Sequence, residues 1–318
     1  MKKLKDLRII LIVVGIVFMF IFPIGFNDQY LIWVFSIALI YSVYASSWDL
    51  LSGYTGKENF GHAAFIAIGG YMVGFISKAF PIPVYLSLPI SALVSAVFGV
   101  VIGIPTLRLK GPYFALATLA VASIFEKLTI SMSQYTGGEE GMIGITYLTD
   151  DPNKSYYFLL IFAVLAVYTM FKISRSNFGL ILKALKSDED ACRAIGINTT
   201  FYKVTAFALS ASFAGMAGTL VAHNFGYIGP DIVYPLSLNS MIMAVVGGIG
   251  GIVPAALGGF FLTFASELLR DFGDYNQIIY TLLLIFSALF LPSGVFNGLS
   301  NFLKSKGFKT STEVRGEK

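Results

Sequence analysis

The chain has 318 residues, of which 56% are hydrophobic and 13% charged, and its mean hydropathy is +0.76. A soluble globular domain carries nearer about 25% charged residues, so this composition excludes an ordinary soluble protein and indicates an integral membrane protein. The net charge of +4 is distributed among loops between apolar runs, which argues against a basic face that binds nucleic acid.

About ten apolar runs follow one another along the chain. Their bounds are roughly 9–26, 30–48, 60–77, 84–104, 112–131, 156–174, 201–222, 237–250, 252–269 and 276–292. The eighth run is short and is broken by the glycines of 246–251, so we interpret 237–251 as a broken or re-entrant helix. The sequence predicts an all-α, polytopic transmembrane bundle with about 8–10 spans.

The first run follows a basic N-terminus and lacks a small-x-small cleavage site, so we interpret it as a retained helix and not as a signal peptide. With the N-terminus inside, every Lys and Arg falls on an inner segment except Lys78, Lys127, Lys154 and Arg270. Cytoplasmic loops retain Lys and Arg, so both termini are predicted to be cytoplasmic. Residues 1–303 then form one transmembrane domain, and 304–318 form a basic tail.

Two polar stretches lie between the runs. Residues 132–155 form the longest external loop, rich in glycine and acidic residues, which is either a docking surface or a solvated connector. Residues 172–203, called here the polar segment, place six basic residues around an acidic cluster. Its core, 184–198, predicts one short amphipathic helix that Ser187 or Asp188 caps and Gly196 ends. We expect the polar segment to contact a soluble partner.

Motifs for catalysis or metal binding are missing from the sequence. Gly56-Lys57 lacks the first glycine and the Ser or Thr of a phosphate-binding P-loop, since Leu51 and Glu58 occupy those positions. The two histidines, His62 and His223, have no partner at metal-ligand spacing. The single cysteine, Cys192, excludes an intrachain disulfide, and we assign it no function. The chain is not predicted to be an enzyme or to hold a cofactor or metal.

Polar and small residues within the apolar runs suggest further sites. Asn59 and His62, at the start of the third run, either line a substrate route or fix helix packing through hydrogen bonds. Small residues at four-residue spacing predict helix-packing seams, which either close the chain on itself or form a subunit interface. The seam positions are Ser210, Ala214, Gly218, Gly247, Gly251 and Gly259.

Four stretches in order resemble the permease subunits of ATP-driven (ABC) importers for branched-chain amino acids, of the M type. They are 51–56 with 61–65, 111–120, the polar segment, and 246–251 with Gly258. The resemblance extends from Trp48 to Pro292. In that family a Glu-Ala-Ala-x-x-x-Gly pattern seats in a groove of the ATPase, and 190–196 has its spacing, with Asp190 for Glu and Cys192 for the second Ala.

The resemblance implies two groups of functional residues. Those implied in coupling to the ATPase are Lys186, Asp188, Glu189, Asp190, Ala191, Arg193, Gly196 and Asn198. Those implied in the translocation path or its gate are Gly53, Tyr54, Gly56, Asn59, His62 and Phe65. Lys57 and Glu58 depart from the family's pattern, which has uncharged residues there.

The resemblance also implies the partners: a second permease, two ATPase subunits that use Mg-ATP, and an extracytoplasmic binding protein, in a prokaryotic cell membrane. Leucine, isoleucine and valine are the expected cargo, with urea, amides and other amino acids as alternatives. An ion-coupled secondary transporter is the alternative of another class. It would need intramembrane carboxylates, and the sequence offers only Glu126 and Glu267, near the ends of runs.

Overall fold

A computed structural model describes residues 15, 17–25, 28–79, 83–269 and 294. After helical residues 17–25, its helices are α1 (Gln29–Thr55), α2 (Ala63–Ala79), α3 (Val84–Thr106), α4 (Pro112–Ser131), α5 (Ser133–Thr136), α6 (Pro152–Arg175), α7 (Asn177–Ser187), α8 (Glu189–Ala194), α9 (Thr199–Phe225), α10 (Val233–Gly247) and α11 (Ile252–Leu268). Two short strands, β1 (Met142–Ile143) and β2 (Tyr227–Ile228), pair antiparallel with Met142 opposite Ile228. Short 3-10 turns lie at Gly138–Glu140 and Pro230–Ile232.

In the described part of the chain, five helices are long and apolar enough to cross a membrane, namely α1, α3, α4, α6 and α9. The bent pair α10 and α11 passes the same test jointly, and α2 is a shorter apolar helix. These helices correspond to the predicted runs between 30 and 269, so the predicted all-α transmembrane bundle is confirmed. The run 276–292, both termini and the 304–318 tail lie outside the described residues.

Helix α1 is the centre of the bundle. Every residue from Ser42 to Thr55 is buried, and the helix packs against α6, α7, α9, α10 and α11. In its most apolar 18-residue window 78% of the residues are buried, against 28% in the windows of α3 and α4. Lipid-facing helices keep an exposed apolar side, so α3 and α4 are peripheral and α1 is surrounded by protein.

The connections meet at two ends of the bundle. At one end the 56–62 connection, the 107–111 turn and the polar segment come together, and Lys57 Nζ donates to the Leu109 carbonyl oxygen over 3.3 Å. At the other end β1 of the 132–151 loop pairs with β2 after α9. The first end holds the cations predicted to be cytoplasmic, so we call it the inner end and the other the outer end.

Helices α10 and α11 form a re-entrant hairpin, as the glycines of 246–251 predict. Their axes bend by 116° across the break at 248–251. Tyr44 donates to the Leu236 carbonyl before the break, Ser46 donates to the Ile252 carbonyl after it, and Tyr30 at the outer start of α1 hydrogen-bonds Glu267. Both α10 and α11 therefore lie alongside α1. The hairpin enters the bundle from the outer end, turns near the inner end and returns to the outer end.

The predicted small-residue positions pack within the chain. A Cβ at Gly218 would overlap the Ile66 carbonyl of α2, and Ser210 Oγ donates to the Ser47 carbonyl over 2.6 Å. On the hairpin, a Cβ at Gly259 would approach the Tyr41 carbonyl of α1. Ala214 is buried on the same helix as Gly218, Gly247 contacts the Pro254 carbonyl, and Gly251 precedes α11. These close backbone approaches are what small side chains permit in a membrane.

Replacing Gly218 by alanine should destabilise the bundle by about 1–3 kcal/mol, because the added methyl meets the α2 backbone and not a side chain that can move away. Thermal unfolding in detergent measures the effect. Gly25→Ala is the matched control, since a Cβ there meets no atom within 4 Å and should change stability by less than about 0.5 kcal/mol. Equal losses of stability in the two variants would contradict the close packing of Gly218 against α2.

The orientation can be tested with a membrane-impermeant maleimide. Cys192 is only 6% exposed, so its failure to react would not report its side of the membrane. In a Cys192→Ser background, Ile195→Cys provides an exposed thiol, because Ile195 is 77% exposed. We expect it to react only after permeabilisation of cells, whereas Glu139→Cys in the 132–155 loop should react in intact cells. The opposite pattern would reverse the topology.

Candidate functional site

The core of the polar segment is divided between two helices, because α7 ends at Ser187 and α8 begins at Glu189. The predicted short helix that Asp188 caps and Gly196 ends corresponds to α8, whereas residues 184–187 belong to α7. Asp188 between them has extended backbone angles, and its carboxylate accepts the Ala191 N–H over 2.9 Å. An aspartate that caps a new helix in this way competes with continuation of the old one.

Gly196 lies just after α8, as predicted. Its φ is +86°, a left-handed conformation in which glycine is not strained. The Gly196 N–H donates to the Arg193 carbonyl and the Ile197 N–H to the Cys192 carbonyl, so two carbonyls at the helix end are satisfied. Asn198 then caps α9 by accepting the Phe201 N–H over 3.0 Å. The polar segment is therefore a chain of capped helices and not a flexible loop.

Glu189 anchors α8 to the bundle. Its carboxylate lies 2.6 Å from Lys203 Nζ on α9 and 3.3 Å from the Thr199 hydroxyl, and the Lys203 side chain is only 8% exposed. Partial burial alone would raise the pKa of Glu189, but the hydrogen bond and charge of Lys203, with the charge of Lys57, lower it below its ordinary value. The carboxylate is therefore charged at neutral pH and holds α8 in place.

The opposite face of α8 is free of the bundle. The side chain of Asp190 is 80% exposed and that of Arg193 is 62% exposed, and the two form an ion pair at 3.3 Å. Ala191 is exposed between them, and Ile195, an apolar residue that sequence reasoning did not single out, is 77% exposed beside Gly196. Cys192 faces inward and is buried, which explains why a small side chain is needed there. The exposed face presents an acid, a base and one apolar contact.

Lys186 reaches the other way, into the inner end of α1. Its Nζ donates to the Gly53 carbonyl oxygen over 2.8 Å, and its aliphatic stem passes beside Gly56. Gly56 ends α1 with φ +70°. Lys183, three residues earlier, places its Nζ 4.9 Å from the centre of the Tyr54 ring. The polar segment and three of the predicted path residues are thus in direct contact.

Asn59 and His62 lie just before α2, which begins at Ala63, close to the predicted boundary near residue 60. Asn59 Oδ1 accepts the Gly61 N–H over 3.0 Å, and Thr118 Oγ1 accepts the Phe60 N–H over 3.1 Å. The N–H groups of Phe60 and Gly61 are therefore bonded to side chains and not to helix carbonyls, and the helix begins only at Ala63.

His62 is fully buried among α1 residues. Its Nε2 lies 2.8 Å from Ser47 Oγ, and its ring stacks on Tyr44 with 5.0 Å between the centroids. Phe65, one turn later, is 1% exposed and packs its ring edge against Phe207 of α9. Apart from Gly56, which is exposed, the predicted path residues therefore form one buried cluster at the inner half of α1, and a hydrogen bond to α1 accounts for the position of His62.

Lys57 and Glu58 occupy the exposed side of the same connection. Lys57 is half-buried, and burial is the first cause that lowers its pKa, with the charge of Lys203 the next. Glu58 is exposed. The two charges therefore lie at the rim of the inner end, outside the buried cluster.

A separate cavity of about 130 Å³ opens at the outer end. It lies between the start of α1, the external loop and the end of α9, where His223 Nδ1 is 2.6 Å from the Thr146 carbonyl oxygen and Nε2 is 3.2 Å from Ser87 Oγ. His223 thus fastens the external loop to the bundle. This loop is attached to the bundle at Thr146 and through β1. A solvated connector would not need these two attachments.

Comparison with known proteins identifies the family. Residues 30–288 match the model of the family described as branched-chain amino acid transport system / permease component. The chain belongs to this family. It is 28% identical to the high-affinity branched-chain amino acid transport system permease protein LivM of Salmonella typhimurium, over 99% of this chain and 79% of the relative. It is 28% identical to BraD of Pseudomonas aeruginosa, over 80% and 91%, and 29% identical to LivH of Escherichia coli, over 45% and 46%. No solved structure matches the chain.

Sequence reasoning missed one residue of this permease, Asp49. It is fully buried in α1, and its Oδ1 accepts the Gly250 N–H at the turn of the hairpin over 2.7 Å. The apolar run ends near Trp48 in the sequence, just before Asp49, whereas α1 continues to Thr55. The signal that could have found it is the pattern of small and aromatic residues after Asp49, which extends the helix. The permease therefore does contain an intramembrane carboxylate.

Replacing Lys203 of the permease by methionine should release α8 from the bundle. The change leaves Glu189 without its closest cation, so the free energy of local opening should fall by about 1.5–3 kcal/mol. Hydrogen exchange of the 188–198 amides measures it. Arg193→Met is the matched control, because this exposed partner of Glu189 should contribute less than about 1 kcal/mol. Equal protection of these amides in the two variants would contradict the anchoring of α8 by Glu189 and Lys203.

The same anchor predicts a pH dependence with a definite sign. Because the pKa of Glu189 is lowered in the folded state, its contribution is fully present above the ordinary carboxyl pKa of about 4.3 and is lost as the pH falls through the folded value. Protection of α8, corrected for intrinsic exchange rates, should be constant between pH 7 and about pH 5 and should fall as the pH drops below about 4. Lys203→Met should remove most of this dependence.

Proposed function

We propose that the chain is the M-type permease of a binding-protein-dependent, ATP-driven importer of branched-chain amino acids, and that α8 is the element that its ATPase grips. The observation that carries the proposal is the two-sided structure of the polar segment. One side of α8 is held by Glu189 and Lys203, and the other presents Asp190, Arg193 and Ile195 to the cytoplasm. A helix that transmits force needs both a rigid attachment and a free contact face.

The proposed mechanism is a shift in equilibrium between inward-closed and outward-closed packings. ATP binds the closed ATPase dimer more strongly than the open one, and the permease packing that fits the closed dimer is stabilised by that difference in affinity. Capping by Asp188 and Asn198 keeps α8 a compact unit, so a displacement of α8 moves α9 through Lys203 and α1 through Lys186. We place the inner gate at the buried cluster of Asn59, His62 and Phe65.

The proposed partners are a second permease, two ATPase subunits that use Mg-ATP, and an extracytoplasmic binding protein. Relatives named LivM and LivH both match this chain, which supports a pairing of two related but unequal permeases. The proposed location is the cytoplasmic or inner membrane of a prokaryotic cell. The permease itself is proposed to bind no cofactor and to hydrolyse no ATP.

The proposed substrates are leucine, isoleucine and valine, since the relatives are named for branched-chain amino acid transport. Urea, amides and other amino acids are the alternatives within the same class. We assign selectivity mainly to the binding protein. The small number of charged groups inside the bundle supports this assignment. Transport competition in the reconstituted system, with each candidate in excess, distinguishes these substrates.

Ion-coupled secondary transport is the second candidate, and the buried carboxylate of Asp49 is the observation that favours it. The backbone partner of that carboxylate, Gly250, gives it a structural role instead. Reconstitution separates the two functions. We expect leucine uptake to require ATP, the ATPases and the binding protein. Uptake by this chain alone on a proton or sodium gradient would overturn the proposal.

Reversing the charge at Asp190 should abolish ATP-coupled uptake while leaving the chain inserted. Asp190→Lys changes an exposed group, so the fold should persist, but an interfacial charge left without its partner weakens a complex by about 2–5 kcal/mol. We expect at least a tenfold weaker association with the ATPases, about 1.4 kcal/mol. Co-purification and leucine uptake by proteoliposomes measure the two effects.

Asp190→Glu is the matched control, because it keeps the acid and should retain uptake and association. Gly196→Pro should resemble Asp190→Lys, since proline cannot adopt the φ of +86° that ends α8. Normal uptake by both Asp190→Lys and Gly196→Pro would remove α8 from the mechanism.

A further inference from the structure

The turn of the re-entrant hairpin is held by one carboxylate. Asp49 Oδ1 accepts the Gly250 N–H over 2.7 Å, and the Asp49 side chain is fully buried in α1. A buried carboxylate is costly in a membrane protein unless it is hydrogen-bonded or paired. Lys183 and Lys186 of the polar segment are the cations that interact electrostatically with it. The hairpin turn therefore contacts this carboxylate directly, and the polar segment reaches α1 four residues further on, at the Gly53 carbonyl.

Gly53 is packed between these two elements. A Cβ at this position would overlap the Asp49 carboxylate and approach the Gly250 nitrogen, so the hairpin turn lies directly on the backbone of α1. The Gly53 carbonyl oxygen is one of the last four of α1, which have no partner within their own helix, and Lys186 Nζ binds it over 2.8 Å. One residue of α1 thus contacts the polar segment through its oxygen and the hairpin through its Cα.

The hairpin turn itself has a backbone that can change conformation. Gly248 and Gly250 have φ of +130° and +78°, values that residues with side chains rarely adopt. Ile249 between them is 44% exposed. In transporters, broken helices of this kind line the path and form its binding sites. Because its helical hydrogen bonds are interrupted, the turn is the part of the hairpin best placed to respond to a force applied at the Asp49 carboxylate.

We propose that Asp49 and Gly53 connect the polar segment to the hairpin, so that displacement of α8 moves the 248–251 turn through the contacts Lys186 to Gly53 and Asp49 to Gly250. The inference rests on the proposed function and adds to it the element that moves. Asp49 is a positioning residue: it acts as a hydrogen-bond acceptor for the hairpin turn and does not contact substrate. The connection depends on the hydrogen bond that the Asp49 oxygen accepts and not on the negative charge of the carboxylate.

The test measures the reactivity of a thiol at the turn. Ile249→Cys in the Cys192→Ser background places one accessible thiol between the two glycines. The complete transporter, with its ATPases, is placed in nanodiscs, which leave both faces accessible. The rate of maleimide modification is compared without nucleotide and after trapping with ATP and vanadate. We expect at least about a fivefold difference between the two states, the lower end of typical coupling between sites.

Two pairs of variants separate transmission from packing. Asp49→Leu removes the acceptor and Lys186→Met removes the donor to Gly53, and each should make the rate independent of nucleotide. Asp49→Asn keeps an oxygen acceptor and Lys186→Arg keeps a donor, so both should retain the response. Lys110→Met is the matched control, because Lys110 is an exposed lysine at the same inner end.

Each result decides the proposal. A response that persists in Asp49→Leu and Lys186→Met, or a parent turn that does not respond, overturns the connection. A rate that rises equally in both nucleotide states of Asp49→Leu, with a normal response in Lys186→Met, shows that Asp49 is only structural. If Asp49→Leu does not insert, Lys186→Met alone decides, since its side chain is on the surface. A parent without ATP-dependent uptake refutes the proposed function instead.

Discussion

The structure depends on the requirement that backbone polar groups inside a membrane find partners within the protein. The hairpin formed by α10 and α11 interrupts a helix inside the bundle, so the N–H groups of its turn lack the carbonyl partners that a continuous helix would supply. The Asp49 carboxylate accepts one of them, from Gly250, and Ser46 binds the Ile252 carbonyl just after the turn. Helix α1 can supply both because its inner half is buried on every side. The central position of α1 and the re-entrant hairpin are therefore one arrangement.

The polar segment applies the same chemistry at the edge of the bilayer. Asp188 caps α8 and Asn198 caps the start of α9, and the charged residues of the polar segment divide by direction. Glu189 and Lys186 bind the bundle, whereas Asp190 and Arg193 face outward. A segment of this composition could have been a disordered loop. Its anchoring by a nearly buried lysine, Lys203, fixes α8 to the bundle, which is the property that the proposed coupling to an ATPase requires.

The differences between the sequence reasoning and the structure have identifiable causes. Residues 184–187 belong to α7 and not to the helix that Gly196 ends, because the Asp188 carboxylate accepts a backbone N–H of the following turn and starts a new helix. Helix α2 starts at Ala63, slightly after the predicted boundary near residue 60, because Asn59 and Thr118 bind the preceding backbone N–H groups, and Thr118 is remote in sequence. Asp49 was overlooked because hydropathy treats a charge as the end of a span. A charge that is paired with a distant backbone amide is invisible to any local pattern.

The sequence by itself determined the membrane class, the positions of the main helices, the break in the hairpin and the stop at Gly196, since these follow from local apolar runs and from the backbone freedom of glycine. It also predicted which loops carry the cations. Tertiary structure decided which residues meet: Lys186 with Gly53, Glu189 with Lys203, His62 with Ser47, and Asp49 with Gly250. Two of these pairs join separate helices, one joins α1 to the connection before α2, and one joins α1 to the hairpin turn, so the partners depend on tertiary packing and not on sequence spacing.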